Sequence, residues 1–383
     1  MWRKMTGVTT ALRSGARPLA ASDLSQLIDF SRIVLIIGLV FLHYERYPNA
    51  TLSPFRGMDP AQPGIATFIN SFMLFFFFSV VPLLSLISGW LFFNLRGDVV
   101  EALSARVRRR FGSLYLPLVC WNAFYLALMW VLFREAPNHP LAGELNIDFS
   151  TASVMDYINA VFAVDAHPIG FQFWFVRDLF VSALISPLLY LMLRYIPFIG
   201  AILLGAAWLK GFDLWVFFRS DVVFFFYLGG LVRMRGFALE VGPKAAAIAF
   251  GIYVALVTLR TLAPYAVIGD PFWLQAVTRG MRLVGVLACW GIFQQIAFTE
   301  TGGRIARYGG LAFFLHAAHF PLLAAVKLTL WDWVPYPSQG WMLAHYLLSV
   351  AVTVLLCLGA AFALASTAPR LFAYLNGGRL ALH

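Results

Sequence analysis

The segment Asp29-Phe-Ser-Arg-Ile-Val-Leu-Ile-Ile-Gly-Leu-Val-Phe-Leu-His43 sets an arginine near one end and a histidine at the other end of an otherwise apolar run. Ten consecutive apolar residues, from Ile33 to Leu42, lie between them, and the stretch reads as a helix buried in a bilayer. At about 100° per residue, the steps from Arg32 to His43 return to within roughly 20° of the starting azimuth, so both side chains share one helix face about 16 Å apart. Ionisable groups inside a membrane span are costly and face a bundle interior or a water-filled cavity, which makes both residues candidate site residues. Asp29 stands three positions before Arg32, close enough on a helix for the two to pair.

The rest of the composition agrees with that reading. The chain has 383 residues, 61% hydrophobic and 12% charged, with a mean hydropathy of +0.79, whereas soluble domains carry roughly a quarter charged residues. Nineteen prolines and thirty glycines fit a membrane bundle, where packed neighbours tolerate helix breakers. The net charge of +10 sits in short connections between apolar runs, so anionic lipid and topology account for it and no nucleic-acid partner is expected. Cys120, Cys289 and Cys357 lie in apolar stretches without paired spacing, which supports neither a disulfide framework nor a metal site. Arg3, Lys4, Arg13 and Arg17 precede the first apolar run and no small-residue cleavage site follows it, so the first helix is expected to be retained.

Apolar runs near 27–45, 66–93, 113–133, 174–194, 196–211, 214–232, 244–262, 279–298, 307–330 and 342–367 predict an all-α polytopic bundle of about ten spans, each long enough for a hydrocarbon core of about 30 Å. Basic residues gather in alternate connections: Arg96 and Arg106 to Arg110, then Arg233, Arg235 and Lys244, then Arg304 and Arg307. By the positive-inside rule that side, and with it both termini, is cytoplasmic. The opposite connections carry less base, and the longest, 134–173, holds Glu135, Glu144, Asp148, Asp156 and Asp165. The chain then divides into a basic cytoplasmic segment 1–26, a transmembrane domain 27–368 and a short cytoplasmic tail 369–383. Phe75-Phe-Phe-Phe78 and Phe224-Phe-Phe226 are read as packing or lipid-facing residues.

Each polar candidate carries two readings on spacing alone. Asp29 and Arg32 form either a structural ion pair or a ligand-binding unit, and His43 is either an interfacial histidine or a base working near neutral pH. Arg106, Arg108, Arg109 and Arg110 either hold phosphates or anchor topology. Arg177 and Asp178 either bind sugar hydroxyls or form a salt bridge. His316 and His319 lie on one helix face, but two ligands without a carboxylate or thiolate do not make a metal site.

Asp29-Phe-Ser-Arg32 with His43 eleven residues after the arginine resembles the opening of the acyltransferase 3 family, bacterial integral membrane O-acyltransferases. Other pieces follow in the family's order. Ser88-Gly89-Trp90-Leu91 resembles a small-residue turn closing the second helix, and Arg106 to Arg110 leading to Leu116-Pro117 resembles the basic loop before the third. Trp174-Phe175-Val176-Arg177-Asp178-Leu179 resembles a Trp-Phe helix start, and Phe314-Leu-His-Ala-Ala-His319-Phe-Pro321 a late Leu-His-x-Pro helix. A basic residue often precedes the third-helix proline by about four positions in that family, where this chain has Ser113. Some relatives carry a C-terminal hydrolase-like domain; the expectation here is the stand-alone form.

The resemblance implies transfer of an acyl group, acetyl first among candidates, from cytoplasmic acyl-CoA to a hydroxyl of an extracytoplasmic saccharide or lipid-linked saccharide, such as an exopolysaccharide, at a bacterial inner membrane. It makes His43, Arg32 and Asp29 catalytic candidates. Arg106, Arg109, Arg110, Trp174, Arg177, Asp178, His316 and His319 become substrate-binding candidates, with no bound cofactor and acyl-CoA as donor. A glycolipid transporter or flippase, or a non-catalytic part of a polysaccharide-export assembly, remains the other class, although no second copy of the Arg32 to His43 spacing marks the internal halves such transporters often show.

Overall fold

A computed structural model describes residues 19–137, 139–334 and 336–379, apart from the side chain of Ala142. The basic positions Arg3, Lys4, Arg13 and Arg17 lie outside the described residues. Every regular element among the described residues is helical. Helix α1 spans Ala21–His43 and touches six later helices, because an apolar rod with one polar stripe is most stable at the centre of a bundle. Around it follow α2 (Ile65–Phe77), α3 (Val80–Phe92), α4 (Val99–Arg110) and α5 (Leu116–Glu135). A π-turn at Phe111–Tyr115 joins α4 to α5 just before Pro117, which cannot donate to the preceding turn.

A short α6 (Val154–Phe162), started by a capping box between Ser153 and Asp156, leads to α7 (Trp174–Leu184) and α8 (Ser186–Tyr195), bent 62° from one another. The chain continues through α9 (Pro197–Lys210), α10 (Ser220–Arg235), α11 (Pro243–Leu262), α12 (Phe272–Ile296), α13 (Glu300–Ala306), α14 (Ala312–Trp331), α15 (Gln339–Thr367) and α16 (Pro369–Leu375).

Among the described residues, seven helical stretches are long and apolar enough to cross a membrane, or eight if the bent α7–α8 pair is one crossing, where the sequence suggested about ten. The difference has a local cause. Pro197 and Gly211 bound α9 at 14 residues, and residues 212–219 form a loop, so α10 starts at Ser220 and runs only 16 residues. At 1.5 Å per residue both fall short of about 30 Å.

The connections rich in arginine meet at one end of the bundle. Leu19 N–H donates to Glu240, Gln26 to the Ala297 carbonyl, and Arg233 to Asn94. Asn376 beyond α16 bonds Phe314 and Gly310 at the start of α14, so both described termini share this basic end. At the opposite end, Met58 N–H donates to the Thr261 carbonyl, and Arg260 clamps the carbonyls of Phe55 and Arg56.

Ser88-Gly89-Trp90-Leu91 is not a closing turn but helical, the last turn of α3, where α3 and α10 approach closely. A Cβ at Gly89 would sit 1.9 Å from the Phe226 oxygen of α10, and one at Gly229 would sit 2.0 Å from the Leu86 oxygen of α3. Lipid tails are as apolar as leucine, so close backbone contact and interhelical hydrogen bonds take over from hydrophobic burial as the main cohesion. One such bond set ties α1 to α14 and α15: the Tyr44 hydroxyl meets His345 Nδ1 at 2.8 Å, and His345 Nε2 donates to the Lys327 carbonyl at 2.9 Å.

Candidate active site

Helix α14 breaks at Phe320, whose backbone is extended at φ −123°, ψ 134°, followed by Pro321. Proline has no N–H, so the carbonyls of the preceding turn lose helical partners and must find others. Tyr125 from α5 donates to the Ala317 oxygen at 2.8 Å, while Gln172, just before α7, donates to the Ala317 and Phe320 oxygens at 2.9 and 3.0 Å. The turn that ends at this repaired break carries His316 and His319.

His319 is fully buried and its Nε2 lies 2.7 Å from Nδ1 of His43, which is 8% exposed. The other His319 nitrogen, Nδ1, faces the Leu315 carbonyl at 3.2 Å. A carbonyl only accepts, so in the neutral pair His319 carries its proton on Nδ1 and accepts at Nε2. His43 then donates from Nδ1, which leaves the lone pair of its Nε2 for other chemistry. The rings lie 5.0 Å apart at 13°, and Phe171 sits edge-on to His43 at 4.7 Å. The imidazole is fixed in both tautomer and orientation.

His43 lines a wide cavity of about 530 Å³ at the end opposite the arginine-rich connections, a volume typical of ligand sites. Its other polar walls mix signs: Glu45, Glu144 and Asn146 against Arg46, Arg219 and Lys327. Lys327 stands 3.7 Å from Glu144, and the Arg219 guanidinium lies 5.0 Å over the ring of Trp174. Burial holds the Glu45 carboxyl above its ordinary value, with Glu144 adding to the shift and Lys327 and Arg46 opposing it. His167, in the same wall, is pushed down by burial and by the charges of Arg219 and Arg177.

Arg32, at the start of the same stripe of α1, and Ile36, one turn on, line a second, narrow cavity of about 90 Å³ together with Ser88, Arg110, His316 and Arg379. Arg32 bonds Asp29 at 3.1 Å and Arg110 bonds the Ser88 hydroxyl at 2.8 Å. Neither ring nitrogen of His316 makes a hydrogen bond among the described residues. The stripe from Arg32 to His43 therefore does not line a single passage. It opens into two cavities back to back, with His316 on the wall of one, His43 on the wall of the other, and His319 between them, its ring 5.9 Å from that of His316.

The remaining sequence candidates divide. Trp174, a candidate through the family resemblance, opens α7 and lines the wide cavity. Arg110 lines the narrow one, but Arg106 spends two donors on the Leu91 and Asn94 carbonyls that end α3, and Arg109 is exposed outside the cavity lining. Arg177 donates to the Ala163, Val164 and Val216 carbonyls, and Asp178 accepts from the Phe218 and Arg219 backbone N–H groups. That pair braces the loop which delivers Arg219; Arg219 is the residue on the cavity wall. Glu45, Arg219 and Arg379 are not singled out by the sequence because each is a single charge at a helix end or in a loop, whereas Lys327 is a lone charge inside an apolar run, the same signal that marks Arg32. Glu45 and Arg46 come two and three residues after His43. Among the described residues no group of three His, Cys, Asp or Glu side chains could hold a metal ion.

A family model described as an acyltransferase domain matches residues 26–362. The succinoglycan biosynthesis protein ExoH of Rhizobium meliloti (strain 1021) is 28% identical over 308 residues, 79% of this chain and 79% of that protein. No solved structure matches the chain.

Proposed function

Because this chain belongs to the acyltransferase 3 family, we propose that it transfers an acyl group, acetyl first, from cytoplasmic acyl-CoA to a hydroxyl of an extracytoplasmic saccharide at a bacterial inner membrane. The basic end of the bundle is then cytoplasmic by the positive-inside rule. The relative named for succinoglycan biosynthesis supports an exopolysaccharide, or its lipid-linked precursor, as acceptor.

One observation carries the reading: a buried histidine whose Nδ1–H is committed to His319, set on a wide polar cavity that backs onto a narrow arginine-lined one. The acceptor enters the wide cavity, where mixed charges and amide groups suit a polyhydroxylated ligand. The slender arm of acyl-CoA enters the narrow cavity, its nucleotide staying outside, with Arg32 and Arg110 binding its phosphates and Asp29 orienting Arg32. The arm runs past His316 toward His43, and the wall that His319 forms between the two cavities must open for the thioester to reach the imidazole. His43 Nε2 takes the hydroxyl proton as the acceptor oxygen attacks the thioester carbonyl carbon. The new C–O bond forms, the C–S bond breaks, and the proton passes from His43 to the departing CoA thiolate. The bond to His319 keeps Nε2 unprotonated at the start and steadies the imidazolium that forms, as the orienting partner of a general base does.

The test is transfer of radiolabelled acetyl from acetyl-CoA to exopolysaccharide fragments by protein purified in nanodiscs. His43→Ala should lower the rate by about 10²- to 10⁴-fold while thermal unfolding and monodispersity stay as in the parent. Undiminished transfer by that variant, or no transfer by the parent to any saccharide, would overturn the assignment.

A further inference from the structure

The segment that follows α16 turns back onto the bundle. Asn376 Oδ1 accepts from the Phe314 N–H at 3.0 Å, and its Nδ2 donates to the carbonyls of Gly310 at 2.9 Å and Arg379 at 3.1 Å. One asparagine thereby pins the segment to the start of α14, leaving the Arg379 guanidinium 5.8 Å from the Phe313 ring and on the wall of the narrow cavity beside Arg32 and Arg110.

Three guanidiniums share this small space with one nearby carboxylate, Asp29, which is already bonded to Arg32. Like charges held together in a half-buried space repel, and a bound anion would relieve that repulsion. Burial, then the charges of Arg32 and Arg110, push Arg379 down to about 9, with Asp29 only partly opposing. The cavity, about 90 Å³, takes a phosphate group or a slender chain and not a nucleotide. Planar guanidinium forks match phosphate oxygens in pairs. The family match ends at residue 362, so Arg379 is a donor that the family's matched region does not supply.

We propose that residues 376–379 form a strap completing an oxyanion site, in which Arg379 joins Arg32 and Arg110 in binding a phosphate of the acyl donor. This rests on acyl-CoA being the donor. The strap makes phosphate recognition a product of both ends of the chain, α1 and the segment after α16, and it ties donor binding to correct docking of the C-terminus.

Calorimetry with CoA and with 3′,5′-ADP tests the site without turnover. Arg379→Gln should weaken both by about tenfold or more, and Arg379→Lys should recover part of the loss, with thermal unfolding unchanged in each. In turnover, Arg379→Gln should raise the KM for acetyl-CoA and leave kcat/KM for S-acetyl-N-acetylcysteamine, which has no phosphate, unaltered. Equal binding of CoA by parent and variant would overturn the proposal. So would a defect seen only in nanodiscs containing phosphatidylglycerol and absent in phosphatidylcholine alone, since the anion would then be a lipid headgroup. Normal CoA binding with no transfer to any acceptor would count against the transferase reading and leave the phosphate site standing.

Discussion

The two cavities on either side of the His43–His319 pair differ in the sign and spread of their charge. The narrow one, at the basic end, is walled by Arg32, Arg110 and Arg379, with no acidic residue in its lining among the described residues, and holds about 90 Å³. The wide one holds about 530 Å³ and sets Glu45 and Glu144 among Arg46, Arg219 and Lys327. A narrow space of one sign selects for charge and slenderness. A wide space of alternating sign, with donors and acceptors throughout, selects for hydroxyl-rich shape and tolerates variation in it. The difference is the physical basis for giving the donor to one side and the acceptor to the other.

Variants can break that division of labour. The largest effect is expected at the wall between the cavities: His319→Ala should lower kcat by about tenfold to a hundredfold with both KM values nearly unchanged, because His319 holds the tautomer of His43 and touches neither ligand. His319→Gln, whose amide oxygen can still accept from His43 Nδ1, should recover part of the rate in the same assay. A change in one KM alone would show that His319 belongs to one cavity rather than to the wall. Next, Arg219→Gln should raise the KM for the saccharide by about fivefold to tenfold and leave that for acetyl-CoA alone. The reverse pattern in steady-state kinetics would exchange the two cavities' ligands.

The smallest effect concerns pH. Burial raises the Glu45 carboxyl, so as pH falls from neutrality it takes up its proton earlier than an ordinary carboxylate would. The wide cavity then loses a negative charge, and acceptor KM should rise by about twofold to fivefold over a window above the usual carboxylate range. His167 is shifted downward by burial and by the charges of Arg219 and Arg177, so it takes up its proton at a lower pH than an ordinary histidine. Donor KM should stay flat there, and Glu45→Gln should remove the acceptor limb; a limb that persists in this variant would assign it to another group.

Much of the site was legible along the chain because it lies on one helix. The period of α1 aligns Arg32 with His43 and pairs Arg32 with Asp29, and these are facts of helical geometry. His319 was legible through its order among other segments. Arg177 and Asp178 were legible as a pair, but their partners come from residues 163–164 and 216–219, and no spacing within one helix could show that they brace a loop. Ser88-Gly89 is expected to be a turn from the family resemblance; inside the bundle the glycine instead lets two helix backbones touch. The span count differs at α9 and α10 for a related reason: hydropathy measures where apolar residues lie, not where Pro197 and Gly211 cut the helix.

By itself, the amino-acid order determined a membrane-buried helical bundle and the polar stripe of α1, since hydrophobicity and helical period act over neighbouring residues. Only the tertiary structure decided that this stripe meets His319 from α14, that the space along it divides into two cavities, and that Arg379 returns from the far end of the chain to stand beside Arg32. Those outcomes rest on contacts between residues hundreds of positions apart, where packing, repaired carbonyls and the cost of leaving buried polar groups unpaired choose one arrangement among many that the local pattern allows.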